Sequence, residues 1–244
     1  MIESHDTVVT RPLSTASSAR THHWEPMTGP FGAASKRALD VLVSVAMLIV
    51  FAPLVIGIAI VVVLDSRGGV FFKQMRVGYR GKDFHQWKFR SMVPGAVNMG
   101  LGVNVARNDA RITRVGAILR KTSLDELPNL INVLKGDMSL VGPRPTLRYQ
   151  VDRYTSVQLR RLNARPGVTG LAAIRGRNAI SWPQRIAYDV EYIENWSLWR
   201  DIKIIAVTPW SMWVNRNAIY GADGVNDDFG GVGGDTPEIG NDGE

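Results

Sequence analysis

The 244-residue chain contains no cysteine. Disulfides, thiol nucleophiles and cysteine-ligated zinc are therefore excluded, and the composition fits a cytoplasm-facing protein. Histidine is nearly as scarce. His5, His22 and His23 are three of the four and all lie near the amino terminus, so a histidine-built metal centre or a Ser-His-Asp triad has little to draw on. One end of the chain lacks positive charge. From Gly221 onward there are seven acids and no Lys or Arg, which leaves 15 acids against 29 bases in the remainder. A body this basic calls for a polyanionic partner: nucleic acid, anionic lipid headgroups or a phosphorylated substrate.

Apolar periodicity is missing from both ends. Residues 1–35 are rich in Ser, Thr, Pro and Gly and read as a disordered tail without the features of a secretory signal; residues 221–244 read as an acidic disordered tail. Between them stands a run of 24 uncharged residues, Val41–Leu64. As one helix it would be about 36 Å long, enough to enter a bilayer. Lys36 and Arg37 precede it, and Arg67, Lys73, Arg76, Arg80 and Lys82 follow. Positive charge favours the cytoplasmic side, and here both flanks carry it. Pro53 falls mid-run, where it removes a backbone donor and breaks the helix. The expectation is a re-entrant helix–break–helix over residues 36–66, with an ordinary kinked span as the alternative. Ser44 is too distant to serve the backbone exposed at the break.

The remaining body, residues 67–220, reads as α+β and mostly helical. Strands Phe71–Val77 and Phe84–Arg90 form a β-hairpin around the Gly78 to Asp83 turn signals. ITRVGAILRK, LPNLINVLK and WPQRIAYDVEYIENW read as helices, the last with Ile186, Val190 and Ile193 on one face. Trp196–Trp213 holds four of the seven tryptophans and reads as an amphipathic element lying at a membrane interface, or else as a Trp-rich core segment.

The stretch TSLDELPNLINVLKGDMSLVGPRP poses the chemical question. Ser123 and Glu126 fit a capping box; alternatively Asp125 is the cap and Pro128 falls in the first turn. In either register Asp125 and Glu126 sit at the positive end of a helix, which favours their ionised forms. Two adjacent carboxylates suit a divalent cation, and Mg²⁺ takes one or two carboxylates plus substrate phosphates. Lys88, Arg90, Arg111, Arg114, Arg120, Lys121 and Arg144 offer cations for phosphate, and Pro143 and Pro145 restrict the backbone around Arg144. Acids for a metal and arginines for phosphate together point to nucleotide-diphosphate chemistry.

KRALDV, the Pro-broken run, KFRSM, RITRVGAILRKTSLDELPNLINVLKGDMSLVGPRP, RPGVTG and GRNAISW together resemble the bacterial sugar transferase family. These are the monotopic phosphoglycosyl transferases of polyprenol-dependent glycan assembly. The likeness runs from about Lys36 to Trp213, and the chain looks like the family's small, core-only form. The resemblance implies transfer of a sugar 1-phosphate from a UDP-sugar to a polyprenyl phosphate, usually undecaprenyl phosphate, with release of UMP. It implies Asp125 as nucleophile through a phosphosugar–aspartyl intermediate, Glu126 as second acid of the dyad, Mg²⁺ held at Asp125, and functional roles for Lys88, Arg144 and Asp189. It also implies a site on the cytoplasmic face of the inner membrane, in contact with phospholipid and other glycan-assembly enzymes. GRNAISW resembles members acting on N-acetylated amino sugars. One departure stands out: small members often carry Ser-Pro at the membrane break, and this chain has Ala52-Pro53.

Plainer readings exist. Lys88 alone is a solvated strand lysine, Asp189 a partner for Arg185 one turn back, and Asn178 a turn residue. A non-catalytic membrane scaffold of a glycan-assembly complex would explain the anchor, the basic body and the tryptophans, but not the acid pair beside a proline-flanked arginine. No nucleic-acid-binding module is recognisable, so nucleic acid is not expected as a partner.

Overall fold

The computed structural model describes residues 24–99, 105–106, 109–176 and 179–214. Most of the amino-terminal tail, the whole acidic tail and Asn178 lie outside the described residues.

Order begins earlier than expected. Helix α1 spans Pro30–Val50, with its proline in the first turn, where a missing N–H costs nothing. Trp24 and Met27 pack against the core, so this part of the presumed tail belongs to the fold. Helix α2 spans Ala52–Asp65, and the two helices are bent by 63°. No single described helix is long and apolar enough to cross a membrane; the bent pair passes that test only together. The break falls at Phe51 (φ −91°, ψ 4°), two residues before the expected break at Pro53. Pro53 sits in the first turn of α2, where its fixed φ starts a helix. Its ring is incompatible with a continuous helix one turn upstream, and the chain turns there instead.

Both ends of the bent pair are fastened to the same body. Lys36, one of the basic residues that precede the apolar run, is buried. Its ammonium donates to Asp201 Oδ2 at 2.7 Å, to the Val141 carbonyl at 3.0 Å and to the Tyr192 hydroxyl at 3.2 Å. Asp40 accepts from Ser139 Oγ at 3.0 Å and from Leu140 N at 2.9 Å. At the other end Asp65 accepts from Val115 N at 3.0 Å. Outward, Leu42, Ile49, Val50, Ile56, Ile60 and Leu64 are exposed, far more apolar surface than scattered single residues leave on a soluble protein.

Strands β1 (Phe71–Val77) and β2 (Asp83–Phe89) form the expected antiparallel hairpin, with Phe71 opposite Phe89 and Val77 opposite Asp83. Helices α3 (Arg114–Thr122) and α4 (Asn129–Lys135) follow. A second, parallel pair is formed by β3 (Ser139–Val141) and β4 (Gly167–Thr169). Gly142, at the end of β3, lets the two backbones close: a Cβ there would lie 2.2 Å from the Arg165 carbonyl oxygen. That contact explains why VGPRP and RPGVTG belong to one construction. Two short helices, α5 (Arg148–Val151) and α6 (Ser156–Leu159), lie between β3 and β4, and α7 (Leu171–Arg175) follows β4.

Helix α8 (Trp182–Glu194) lies between two cores. Ile186 and Val190 join Val77, Val151, Tyr154 and Leu162, whereas Ile193 joins Phe84, Leu130, Met138 and Leu140. A third core unites Ile58 and Val62 of α2 with Phe89 and Leu119. Helix α9 (Leu198–Val214) buries Asp201, Ile204 and Ser211 and exposes Trp199, Trp210 and Trp213, with Trp210 69% exposed. Three of the four tryptophans in this segment therefore face outward, which sets aside the reading as a Trp-rich core segment.

Candidate active site

The acid pair is not a helix cap. Helix α3 is capped by Thr113, which accepts from Gly116 N, and ends at Ser123 in the left-handed region (φ 57°). Leu124–Glu126 is a separate 3₁₀ turn, and Leu127 and Pro128 lead into α4 in right-handed helical conformation. Neither expected capping register holds: Ser123, at the start of this turn, makes no side-chain capping hydrogen bond to it, and Pro128, not Asp125, occupies the cap position of α4. Leu124 and Leu127 pack into the third core and fix the turn from below. Asp125 is held inward and is only 8% exposed.

Burial pushes the Asp125 carboxyl above the usual carboxylate range, and Glu126 beside it adds to that. Lys88, then Arg120 and Arg144, act in the opposite direction. Asp125 is therefore not the easily ionised helix-end acid expected: desolvation is the larger influence, and nearby cations oppose it. Lys88, on β2, donates to Glu126 Oε1 at 2.8 Å, so it is not a solvated strand lysine. Arg144 is exposed between buried Pro143 and Pro145, and its guanidinium has no hydrogen bond among the described residues. Lys88, Asp125, Glu126 and Arg144, taken from three separate segments, are thus brought to one place.

Arg90 and Arg111 are engaged elsewhere. Arg90 is buried and donates to the carbonyls of Ser66, Arg67 and Gly69 at 2.7 Å and of Val62 at 3.3 Å, closing the carboxy end of α2. Arg111 grips Asp109 through Nε at 2.8 Å and Nη2 at 2.6 Å, and Nη1 donates to the carbonyls of Ala96 and Met99. Both were candidate phosphate ligands; both tie loops together, because buried carbonyls left without donors would be costly. The direct partner of Asp189 is not Arg185, whose guanidinium lies 5.0 Å over the Trp182 ring and acts on the carboxylate only through its charge. It pairs with Arg161, and both side chains are sealed. Arg161 escaped the sequence reading. The available signal was Asp189 itself, a lone acid between Ile186 and Ile193 on an apolar helix face, which needs a buried cation.

A divalent cation fits the donor set. Among the described residues no cluster of three or more acidic or histidine side chains occurs, so the oxygens on offer are those of Asp125 and Glu126. One or two carboxylates completed by substrate phosphates is the pattern Mg²⁺ favours.

Comparison with known proteins gives the family. The model of the bacterial sugar transferase family matches residues 31–215. The exopolysaccharide production protein ExoY of Rhizobium meliloti is 40% identical over 73% of this chain and 85% of its own length. A UDP-glucose:undecaprenyl-phosphate glucose-1-phosphate transferase of Caulobacter vibrioides is 45% identical over 75% of this chain and 71% of its own. An undecaprenyl-phosphate galactose phosphotransferase of Salmonella typhimurium is 44% identical over 71% of this chain and 39% of its own. A match of this extent, over a body that gathers an acid pair and basic side chains, places the chain in the bacterial sugar transferase family, as a phosphoglycosyl transferase.

Proposed function

We propose that this enzyme transfers a sugar 1-phosphate from a UDP-sugar to undecaprenyl phosphate at the cytoplasmic face of the inner membrane, as a first membrane step of exopolysaccharide assembly. The observation that carries the reading is the buried Asp125 beside Glu126, in the combined field of Lys88, Arg120 and Arg144. In the first step a carboxylate oxygen of Asp125 attacks the β-phosphorus of the donor. The bond from that phosphorus to the bridging oxygen breaks, and UMP leaves with the electron pair. In the second step a phosphate oxygen of the lipid attacks the same phosphorus, the Asp125–phosphorus bond breaks, and the carboxylate is regenerated. Arg144 and Lys88 offset charge on the phosphoryl oxygens in both steps. Asp125 and Glu126 would hold Mg²⁺ together with the donor's phosphates, and the ion would supply further charge neutralisation.

The bent pair α1–α2 supports a re-entrant anchor. Its two ends are bonded to one body through Lys36, Asp40, Asp65 and Arg90, and an apolar face is left outside. A crossing segment would part those ends by a bilayer's thickness. The exposed tryptophans of α9 would rest in the headgroup region. Accessibility labelling of single-cysteine variants at both ends of the pair tests this reading. Protection of both from outside intact cells is expected, and reaction of one end alone would overturn it.

Relatives named for glucose and galactose make a hexose 1-phosphate the group we favour for transfer; the N-acetylated amino sugar expected from GRNAISW is the competing arm. The test is UMP release from purified enzyme with undecaprenyl phosphate, Mg²⁺ and a panel of UDP-glucose, UDP-galactose and UDP-N-acetylhexosamines. Release from one or two donors is expected. Release from none, with a folded enzyme in a native-like bilayer, would reject the reading.

A further inference from the structure

Asp189 matches a family position expected to be functional, yet its side chain is sealed, and so is that of its partner Arg161, each residue only 1% exposed. A group that water cannot reach does not meet a soluble nucleotide. The pair does reach the loop that carries Arg144. Arg161 Nη2 donates to the Arg144 carbonyl oxygen at 3.1 Å, and Nη1 donates to the Tyr154 hydroxyl at 2.6 Å. The guanidinium carbon lies 5.6 Å from the Tyr154 ring and 5.4 Å from the Trp182 ring. A planar fork held by a carboxylate, a phenol and two rings has one orientation, and that orientation aims a donor at the Arg144 backbone. On the other side of the loop Gly167 N donates to the Pro143 carbonyl at 2.8 Å. The Arg144 backbone is therefore clamped from two sides while its side chain stays exposed and without a hydrogen bond among the described residues.

We propose that Arg161, held by Asp189, is a positioning residue. It fixes the main chain at Arg144 so that the guanidinium meets the donor's phosphates, and Asp189 serves the reaction through it without touching substrate. This inference rests on the reading of Arg144 as a phosphate-binding residue.

The absence of cysteine provides a direct test. A nitroxide attached to an Arg144→Cys variant reports one position, and the backbone carbonyl that Arg161 grips is retained. Arg161→Lys is expected to speed label motion at position 144 at least about twofold and to leave a control label at Lys203→Cys unchanged. With Arg144 in place, Arg161→Lys is expected to lower kcat about tenfold, with a smaller effect on KM for the UDP-sugar. Once Arg144 is alanine, the same change should cost less than about twofold, because the two residues act as a unit. Unchanged motion at position 144, equal loosening at both labels, or full additivity would overturn the proposal. Tyr154→Phe removes one hydroxyl and no charge. It should shift the same readouts in the same direction, and it decides the matter alone if Arg161→Lys does not fold. Wild-type activity in Arg144→Ala would remove the phosphate role of Arg144 instead; the label result would still stand or fall separately.

Discussion

The Lys88–Glu126 pair leaves its side chains 15% and 22% exposed, whereas the Arg161–Asp189 pair leaves 1% and 2%. On paper each is one base and one acid, far apart in the chain. In the open pair either partner can exchange the other for a phosphate or a cation, since water already competes for both. In the sealed pair each charge depends on the other, because no solvent can replace it. Burial thus separates groups available for chemistry from groups that hold the chemistry in place. Asp125 lies between the two cases, buried but adjoining the open pair.

The sharpest challenge to this contrast is Asp125→Asn. It should reduce transfer by more than about 10³-fold while recovery in the membrane fraction and the melting temperature stay unchanged, since no ion pair is broken. A fully active variant would remove Asp125 as nucleophile. The next test compares the two pairs directly. Asp189→Asn leaves a buried guanidinium unpaired and should cost about 3–5 kcal/mol of stability in denaturant titrations. Lys88→Met should change stability by less than about 1 kcal/mol yet lower kcat at least about tenfold. Equal destabilisation by the two would erase the distinction. A smaller effect is expected at the close approach beneath Arg144. Gly142→Ala sets a methyl against the Arg165 carbonyl and should cost about 1–3 kcal/mol, read as a lower melting temperature together with reduced turnover.

The smallest expected effect concerns the Arg111 clip. Arg111 holds the Asp109 carboxyl down to about 2, below its ordinary value of 3.8. A folded-state value below the unfolded one means that this contribution is present above pH 4 and is lost as pH falls from about 4 towards 2. Asp109→Asn should therefore flatten the fall in melting temperature over that interval and alter little of its slope above it.

Much of this was legible because the signals were strong and local. The hairpin alternates with a period of two, and the sequence misplaced its second strand by a single residue: Arg90 lies beyond the end of β2. The apolar run and its interruption were visible in composition alone, although the turn falls at Phe51. Other features depend on contacts that sequence does not display. Strands Ser139–Val141 and Gly167–Thr169 are too short to show alternation, and their pairing depends on glycines distant in sequence. The left-handed Ser123 overrides a good capping pattern, because the core holds Leu124 and Leu127 in place. Among the basic residues, identity gave no guide to use. Arg90 and Arg111 bind carbonyls and an aspartate, Arg161 fixes a loop, and Arg144 alone of these four stands exposed. The transferase chemistry was readable from the order of the motifs, whereas the division of labour among the arginines required the fold.

The third core has a practical consequence for anyone wishing to handle this enzyme without detergent. Ile58 and Val62 form a wall against Phe89 and Leu119, so excising the bent helix pair would open the interior beneath the turn that carries Asp125. Water solubility would have to come from recolouring the outer surface with polar side chains, at Leu42, Ile49, Ile56 and Leu64, while the inner rows are left untouched.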